Sequence, residues 1–426
     1  MLRVGFAQAD VTWKIGVELV GIFGPRVMKA VHDPLLAVAC VIDDGVTTVA
    51  LVGVDVGAVT RQTSETARAA IERDTGIPPA NILISASHTH QAAPSIATFG
   101  AVPDPDYAEH VGRGIARAAI DAWKNRTDAQ VGAQAGRVSG IHFNRRFLMR
   151  DGKQVTHPGK MNPDIVKPAG PVDDKVSVLA ARTPDGRWLG AVAHFGCHCT
   201  VTEGDDEYSA DYVHYLCQHL KREIGDVPVA FLLGACGDIT QVNNQAAAQE
   251  RGHAWAAMMG ETLGAEASRA IQRIQWMNQP RVTTAQVNLD LAIRQKDLCD
   301  PPRLGLGSGQ RWEELYALEK AYVAAMRERT PTIACAIHAV CIGNLGIVTS
   351  GAELFAQLAL DIQAASTLPT LWVVTLVNEY LGYVPPASAL YAGGYEVRTA
   401  RSSFLEAAAG QKIVETSLSA LRELAI

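Results

Sequence analysis

The sequence has no uninterrupted run of about 20 apolar residues, which is the length that a transmembrane helix needs. We therefore expect no membrane span. The N-terminal stretch MLRVGFAQADVTW also lacks an apolar run of signal-peptide length, because Asp10 interrupts it early.

The eight cysteines form no Cys-x-x-Cys pair, which argues against a redox or metal-storage role. Without a secretory signal they are expected to be free, buried thiols, and the chain is predicted to be cytoplasmic.

An excess of positive charge is missing as well. The net charge is −6 and the isoelectric point is about 6.1, whereas a nucleic-acid partner usually requires a basic face. No block of like charges is long enough to be an interaction tail. What is present is a globular composition, with 48% hydrophobic and 19% charged residues in a chain of 426. That length allows one large domain over 1–426 or two intimate lobes.

Strand and helix patterns alternate along the chain, which predicts an α/β fold with mixed sheets flanked by helices. Two apolar, β-branched runs around Asp43-Asp44-Gly45 predict a β-hairpin. Residues 150–173 are rich in Gly, Pro, Lys and Asp and predict a long surface loop, which with 296–310 would shape a pocket. There is no fixed-period repeat. The other predicted elements are helices at 63–75, 107–125, 244–275 and 311–328 and strands at 82–84, 131–138, 188–195, 227–233, 335–348 and 371–376.

The most informative stretch is 81–95, NILISASHTHQAAPS. A buried strand at 82–84 leads into small polar residues and then presents His88 and His90. On an extended backbone, side chains at i and i+2 lie on the same side. Two imidazoles on one side of a strand end suit a metal or a hydrolytic site. The alternative is that one or both are ordinary polar loop histidines.

Four further strand ends carry polar residues, and sites in open α/β sheets form at such ends. Each signal is weak alone: His198 could be structural, and Glu353 could charge the start of a helix. The run Cys197-His198-Cys199 is not read as a zinc cluster, because alternate strand residues point in opposite directions. Asp211 is expected either to orient a loop or to support His198. The four strand ends are at His198, at 237–240, at Glu353 and at Tyr380 and Tyr383.

Taken together, His, Glu and Tyr side chains provide ligands for Zn²⁺ with room for water. Bound zinc lowers the pKa of water to about 7 and polarises an amide carbonyl. A proton shuttle and donors for the developing oxyanion would complete a hydrolytic site.

In the order and number of several short blocks of residues, the sequence resembles the neutral/alkaline non-lysosomal ceramidase family. The resemblance runs from about residue 4 to residue 396 and is most specific at His88-Thr89-His90. The matching blocks, in chain order, are Ile84-Ser85-Ala86-Ser87-His88-Thr89-His90, Phe143-Asn144-Arg145, Cys197-His198, Ser209-Ala210-Asp211, Gly237-Asp238, Gly351-Ala352-Glu353, Asn378-x-Tyr380-x-Gly382-Tyr383 and Gly393-Gly394-Tyr395-Glu396.

The resemblance implies a metallohydrolase with zinc held by His88, His198, Glu353 and a tyrosine. Tyr383 is favoured as that tyrosine because it stands twelve residues before Tyr395, and Tyr380 remains open.

The other positions carried over by the resemblance are catalytic. They imply His90 as an acid/base or carbonyl-orienting residue, Arg145 as a group that positions the site, and Tyr395 near the scissile bond.

The sequence also departs from the family pattern. Where ceramidases have a Ser followed by Pro, this chain has Thr240 followed by Gln241. The Thr240 hydroxyl could bind substrate or water, so a nucleophilic role is not assigned. The sequence shows no counterpart of the family's C-terminal β-sandwich domain, which suggests a short, bacterial-type, single-domain relative.

These features favour a zinc-dependent amidohydrolase acting on a small or N-acyl linear amide. The alternatives are an ester or lactone hydrolase with the same zinc site, and a binding homologue that has lost turnover. The expected partner is a small amide substrate, and a homo-oligomer remains possible.

Overall fold

Three β-sheets, each with two helices on its outer face, organise the chain. The structure is a computed structural model that describes residues 2–18, 26–277, 279–298 and 310–424. The strands are β1 (Arg3–Asp10), β2 (Ala30–Val31), β3 (Leu36–Asp43), β4 (Thr48–Val54), β5 (Ile82–Ala86), β6 (Thr127–Asp128), β7 (Gln130–Arg137), β8 (Phe143–Asn144), β9 (Arg146–Met149), β10 (Gln154–Thr156), β11 (Ile165–Pro168), β12 (Lys175–Arg182), β13 (Trp188–Phe195), β14 (Glu207–Tyr208), β15 (Val229–Leu233), β16 (Ile239–Thr240), β17 (Val282–Ala292), β18 (Thr332–Ile342), β19 (Leu345–Thr349), β20 (Glu353–Leu354), β21 (Thr370–Val374) and β22 (Tyr383–Val384). The helices are α1 (Arg61–Thr75), α2 (Pro105–Lys124), α3 (Tyr212–Ile224), α4 (His253–Gln272), α5 (Gln310–Arg329), α6 (Ala356–Ala365), α7 (Ala387–Ala392) and α8 (Ala409–Glu423).

The three large sheets share one topology. Their orders are β5-β4-β3-β1-β6, β15-β13-β12-β7 and β21-β19-β18-β17. In each, three strands pair antiparallel in turn (β1, β3 and β4; β7, β12 and β13; or β17, β18 and β19), and a crossover helix (α1, α3 or α6) then leads to a parallel strand. A second helix (α2, α4 or α8) returns over the same sheet. We call these the first, second and third units, at 3–124, 130–272 and 282–423. The predicted α/β class with mixed sheets is confirmed.

The core lies on both faces of the sheets, and strand β3 shows why. Its residues Ala37, Ala39 and Val41 belong to the buried cluster that includes α1 and α2. The alternate residues face a second cluster, which gathers side chains from all three sheets. Because both faces are covered, the strand reads as a continuous apolar run instead of an alternating one.

Several predicted elements are found. The hairpin joins β3 and β4, and Asp43 Oδ1 accepts a hydrogen bond from the Gly45 N–H in its turn. Helix α1 begins after Thr60, whose side chain accepts from the Thr63 N–H, and ends at Gly76 in the left-handed conformation. In the described part of the chain, no helix is both long and apolar enough to cross a membrane.

Three predicted elements need correction. The single strand predicted at 335–348 is two antiparallel strands, β18 and β19, joined by a tight turn. The helix predicted at 244–275 begins only at His253, because Asn244 is buried and binds His157 through its side chain, and Gly252 has a positive φ. The predicted loop at 150–173 contains β10 and β11, which pair with β9 on both sides. The predicted pocket segment 296–310 lies mostly outside the described residues, and so does Cys299.

Candidate metal centre

The carboxyl ends of the three parallel strand pairs meet, and the chain segments that leave them are joined by single bridges. One bridge pairs Ser85 with Val377, and another pairs Gly234 with Val374, so the ends of β5 and β15 both contact the end of β21. A third bridge, between Thr89 and Cys199, joins the segments that follow β5 and β13. Polar side chains from all three units are therefore brought to one place.

His88, His198 and Glu353 converge at this junction. The Glu353 Oε2 atom lies 3.1 Å from His88 Nε2 and 3.3 Å from His198 Nε2. One donor atom from each residue lies within 4.8 Å of the other two, which is the spacing of ligands around a metal ion. Their side chains are 6%, 1% and 1% exposed. Among the described residues, no other group of three or more His, Cys, Asp or Glu side chains has its donor atoms this close together.

Both imidazoles are fixed through their other nitrogen. His88 Nδ1 donates to the Gly57 carbonyl at 2.5 Å, and His198 Nδ1 donates to the Ile239 carbonyl at 3.1 Å. Such contacts hold the tautomer that leaves Nε2 free to bind a metal. The backbone of His88 is left-handed, with φ 64°, and β5 ends at Ala86. The prediction that His88 and His90 project from an extended strand is therefore wrong in its geometry, although both residues reach the site.

Glu353 is positioned by a two-residue strand, not by a helix start. Strand β20 pairs in parallel with β22, and Glu353 stands opposite Tyr383 in that pairing. The Tyr380 hydroxyl donates to Glu353 Oε1 at 2.9 Å, which turns Oε2 toward the two histidines. The reading of Glu353 as a helix cap is thereby excluded.

The donor set fits a bound cation. His88 Nε2 and Glu353 Oε2 are buried and face each other at 3.1 Å, but neither atom makes a well-aligned hydrogen bond among the described residues. Leaving two such atoms unpaired in the interior is costly. A divalent ion between them would satisfy both, so the residues present fit a bound metal ion.

The charge states of His198 and Glu353 suit a metal. Burial would lower the pKa of His88, but Glu353 raises it above its ordinary value, so a metal at His88 would replace a proton. Burial, reinforced by the positive charge of Arg145, lowers the pKa of His198 to about 3, so this ring is neutral and its contact with Glu353 is not an ion pair. Burial would raise the pKa of Glu353, but the neighbouring histidines outweigh it and hold the pKa well below its usual range. A neutral imidazole and an ionised carboxylate are the forms that bind metals.

Two tyrosines lie beside the triad. The Tyr383 hydroxyl is 3.4 Å from His198 Nε2 and 3.3 Å from the Tyr395 hydroxyl. Tyr380, by contrast, already donates to Glu353. Of the two tyrosines that the sequence left open, Tyr383 therefore has the hydroxyl placed toward the histidine nitrogen.

Arg145 is buried behind these rings. Its Nε donates to Glu396 Oε1 at 2.9 Å, and one terminal nitrogen donates to the Gly237 carbonyl at 2.7 Å. The guanidinium carbon lies 5.0 Å from the centre of the Tyr395 ring and 5.5 Å from that of Tyr383. Burial would lower the pKa of Arg145, but the two tyrosines and Glu396 raise it well above its ordinary value. A fixed positive charge therefore lies next to the triad.

No protein-family model matches the chain, and no curated protein matches its sequence. The solved structures that match its fold include two ceramidases. One, described as a ceramidase complexed with C2, is 17% identical with a TM-score of 0.78, over 99% of this chain and 75% of that one. The other, neutral ceramidase from Pseudomonas aeruginosa, is 18% identical with a TM-score of 0.76, over 100% of this chain and 75% of that one.

The chain has the neutral ceramidase fold. The match extends over the whole chain, while about a quarter of each ceramidase chain has no counterpart in it. At 17–18% identity the likeness shows the fold alone. The resemblance noted in the sequence and the fold found in three dimensions therefore agree.

His90 lies next to the triad but outside it. Its ring centre is 5.0 Å from that of His88 and 6.1 Å from that of His198. Its Nδ1 lies 3.0 Å from Glu203 Oε1.

Thr240 is not brought to the triad by any hydrogen bond among the described residues. It is buried in β16, and its hydroxyl accepts a hydrogen bond from the Val242 N–H at 3.2 Å. The adjacent Ile239 supplies the carbonyl that holds His198. The turn therefore holds His198 through the Ile239 carbonyl, whereas the Thr240 hydroxyl stabilises the turn itself.

Other sequence expectations have clear outcomes. Asp211 orients a loop, since its carboxylate accepts from the backbone and hydroxyl of Thr202 and its described hydrogen bonds do not include His198. Asp238 accepts from the Ala356 N–H at the start of α6, so it shapes the local structure. Cys197 and Cys199 are buried free thiols, as expected.

Sequence reasoning missed three groups that hold the site together. They are the Gly57 carbonyl, Glu203 and Glu396. Glu396 is fully buried and binds both Arg145 and Arg146. A signal for Glu396 was available, because Arg145 and Arg146 are adjacent and buried arginines require an acidic partner.

Proposed function

We propose that the chain is a zinc-dependent amidohydrolase that cleaves a small or N-acyl linear amide. The observation that carries the proposal is the convergence of His88, His198 and Glu353, with their donor atoms buried and facing one another, in a chain of ceramidase fold. The matched structure named as a complex with C2 is a ceramidase. Extending amide cleavage to this chain rests on its own residues.

Zinc is proposed because of the donor types. Two imidazole nitrogens, a carboxylate oxygen and a phenol oxygen form a set of four, and zinc favours four ligands of nitrogen, oxygen and sulfur. We assign His88, His198, Glu353 and Tyr383 as those ligands, with Tyr380 orienting the carboxylate through its hydrogen bond. When bound, zinc supplies a Lewis acid that activates water and polarises a carbonyl.

The chain's own residues supply the remaining chemistry. His90 has its Nδ1 occupied by Glu203, so Nε2 is the nitrogen available to take a proton from the attacking water. The same nitrogen can return that proton to the leaving amine as the carbon–nitrogen bond breaks. A single residue then acts as base and as acid.

Arg145 and Tyr395 are proposed to stabilise the negative oxygen of the tetrahedral intermediate. Arg145 holds its positive charge in a buried setting where electrostatic interactions are strong. The Tyr395 hydroxyl is an O–H donor 3.3 Å from that of Tyr383. Thr240 is proposed to assist only by binding substrate or water, because its hydroxyl already serves the local turn.

The test begins with metal content. Protein loaded with zinc and dialysed should retain about one ion per chain by elemental mass spectrometry. Glu353→Gln keeps the size of the side chain but removes its charge, so it should lower zinc affinity by about 100-fold or more. The matched control is Glu261→Gln, since Glu261 also binds a histidine, His219 at 2.6 Å, but near the surface. That control should keep its zinc.

Activity is then measured with a panel of N-acyl amides, esters and lactones of matched chain length. Faster cleavage of amides, lost on zinc removal and in Glu353→Gln, supports the proposal. Preference for esters or lactones would assign the same site to the alternative hydrolase. Binding of substrates without turnover would identify a non-catalytic homologue. If metal-free protein cleaved the amides, the reaction would not depend on a metal, and the proposal would be wrong.

A further inference from the structure

Three imidazoles approach the site, and each is held through Nδ1, but their partners differ. His88 and His198 each bind a backbone carbonyl, from Gly57 and Ile239. His90 instead binds the carboxylate of Glu203, at 3.0 Å. A carbonyl is a neutral acceptor, whereas a carboxylate makes a stronger, charge-assisted hydrogen bond to a ring that carries positive charge. The two partner types separate the proposed ligands from the proposed proton carrier.

The turn that carries Glu203 is held on both sides. The buried Asp211 carboxylate accepts from the Thr202 N–H at 2.8 Å and from its hydroxyl at 2.9 Å. On the other side, the Asp205 carbonyl accepts from Gln91 Nε2 at 2.6 Å, and Gln91 directly follows His90. The carboxylate and the imidazole are therefore fixed relative to each other by buried contacts. An ion pair formed by chance on the surface would not have its supporting turn held by such contacts.

We propose that Glu203 is the positioning residue for His90. It keeps the His90 proton on Nδ1 and turns Nε2 toward the reacting groups. Nothing in the spacing of the sequence links the two, since 113 residues separate them. This inference rests on the role proposed above for His90, but its structural part can be tested without substrate.

The kinetic test compares Glu203→Ala, Glu203→Gln and a control, Glu207→Gln. Glu207 lies in the same acidic segment, but its carboxylate faces His253 at 3.5 Å instead of His90. We expect Glu203→Ala to lower kcat about 10- to 100-fold with little change in KM, since substrate contacts are kept. Glu203→Gln should recover part of the loss, because its amide oxygen can still accept from Nδ1. The control should match the original protein, and all variants should keep their zinc.

The independent test is spectroscopic. In zinc-loaded protein with ¹⁵N-labelled histidine, the His90 signals, assigned by their loss in His90→Gln, should show the tautomer protonated at Nδ1. Glu203→Ala should shift this population toward the Nε2 tautomer, whereas the Glu207 control should not. An unchanged His90 tautomer in Glu203→Ala overturns the proposal, and so does a kcat within about twofold of the original or a loss of zinc. If no substrate is cleaved at all, the proposed function fails while the spectra still decide the pairing.

Discussion

At the residue scale, the site depends on groups that occupy unusual states. His88 has a left-handed backbone, which costs about 1–3 kcal/mol in a residue other than glycine. The hydrogen bond from its Nδ1 to Gly57 and its close contact with Glu353 hold it there. Such strain is expected where function requires a fixed geometry.

The sequence made the chemically distinctive residues visible and left their partners hidden. His88, His198 and Glu353 stood out as candidates because histidine and glutamate at strand ends are typical of metal sites, and the resemblance to the ceramidase family joined them into one set with Tyr383. The Gly57 carbonyl could not, because every residue has a carbonyl and nothing in the side-chain pattern shows which one binds a ring.

A buried histidine far from the site gives a pH prediction. His338 lies in β18, and its Nδ1 donates to the Ala80 carbonyl at 3.0 Å. Burial, with the charge of Arg68 adding to it, lowers the pKa of His338 to about 4. The unfolded chain binds this proton near pH 6.5. The stability that the neutral ring provides is therefore complete above pH 6.5 and is lost as the pH falls toward 4.

His338→Gln removes the titrating group and keeps a donor for Ala80. Between pH 7.5 and 4, the unfolding free energy of the original protein should fall by about 3 kcal/mol more than that of the variant. Urea unfolding at several pH values measures both. A difference between the two proteins that does not change with pH would contradict the prediction.

At the scale of elements, the shortest strands do most to place the ligands. Strands β20 and β22 have two residues each, and their pairing puts Glu353 beside Tyr383. Strands β8 and β16 are equally short, and their pairing fixes Ile239, which holds His198. Two residues carry no periodicity, so sequence patterns could predict the long strands and not these.

A glycine behind β20 gives an element-scale prediction. A Cβ atom on Gly237 would stand 2.5 Å from the Glu353 carbonyl oxygen and 3.0 Å from that of Leu354. Gly237→Ala must therefore displace β20. We expect zinc affinity to fall about tenfold or more and stability to fall by about 1–3 kcal/mol. Calorimetric zinc titration and urea unfolding measure the two effects.

The matched control is Gly112→Ala in α2, where a Cβ would meet the Thr63 side chain at 3.6 Å and the Thr63 carbonyl oxygen at 3.7 Å, both ordinary contact distances. Alanine favours a helix interior, so this variant should gain up to about 1 kcal/mol and bind zinc normally. Normal zinc affinity in Gly237→Ala would show that the position of Glu353 does not depend on the close approach of Gly237 to β20.

At the scale of the whole molecule, the three units of equal topology decide where the site lies. Each sends a parallel strand pair toward the same junction. The sequence showed no repeat of fixed period. The structure explains why, because the first strands of the three units, β1, β7 and β17, begin at unequal intervals, at Arg3, Gln130 and Val282. The topology is repeated, but the connections between its elements differ in length.

Because each unit supplies one member of the triad, metal removal should loosen all three together. In hydrogen-exchange mass spectrometry, chelation is expected to increase exchange at 86–90, 197–200 and 351–355, while the antiparallel pair β17–β18 stays protected. The midpoint of thermal unfolding should fall too, since an ion at about 1,000 times its Kd adds about 4 kcal/mol. Faster exchange in a single segment would argue against one shared site.

The order in which these three contributions are synthesised has a consequence for the living cell. On the ribosome, His88 is made well before Glu353, and at about 5–20 residues per second the carboxylate follows roughly ten to fifty seconds later. A half-made chain has no complete chelate, so the ion can be captured firmly only after the third unit has emerged and docked. Cellular metal supply would therefore influence the maturation of the finished protein more than the folding of its first half.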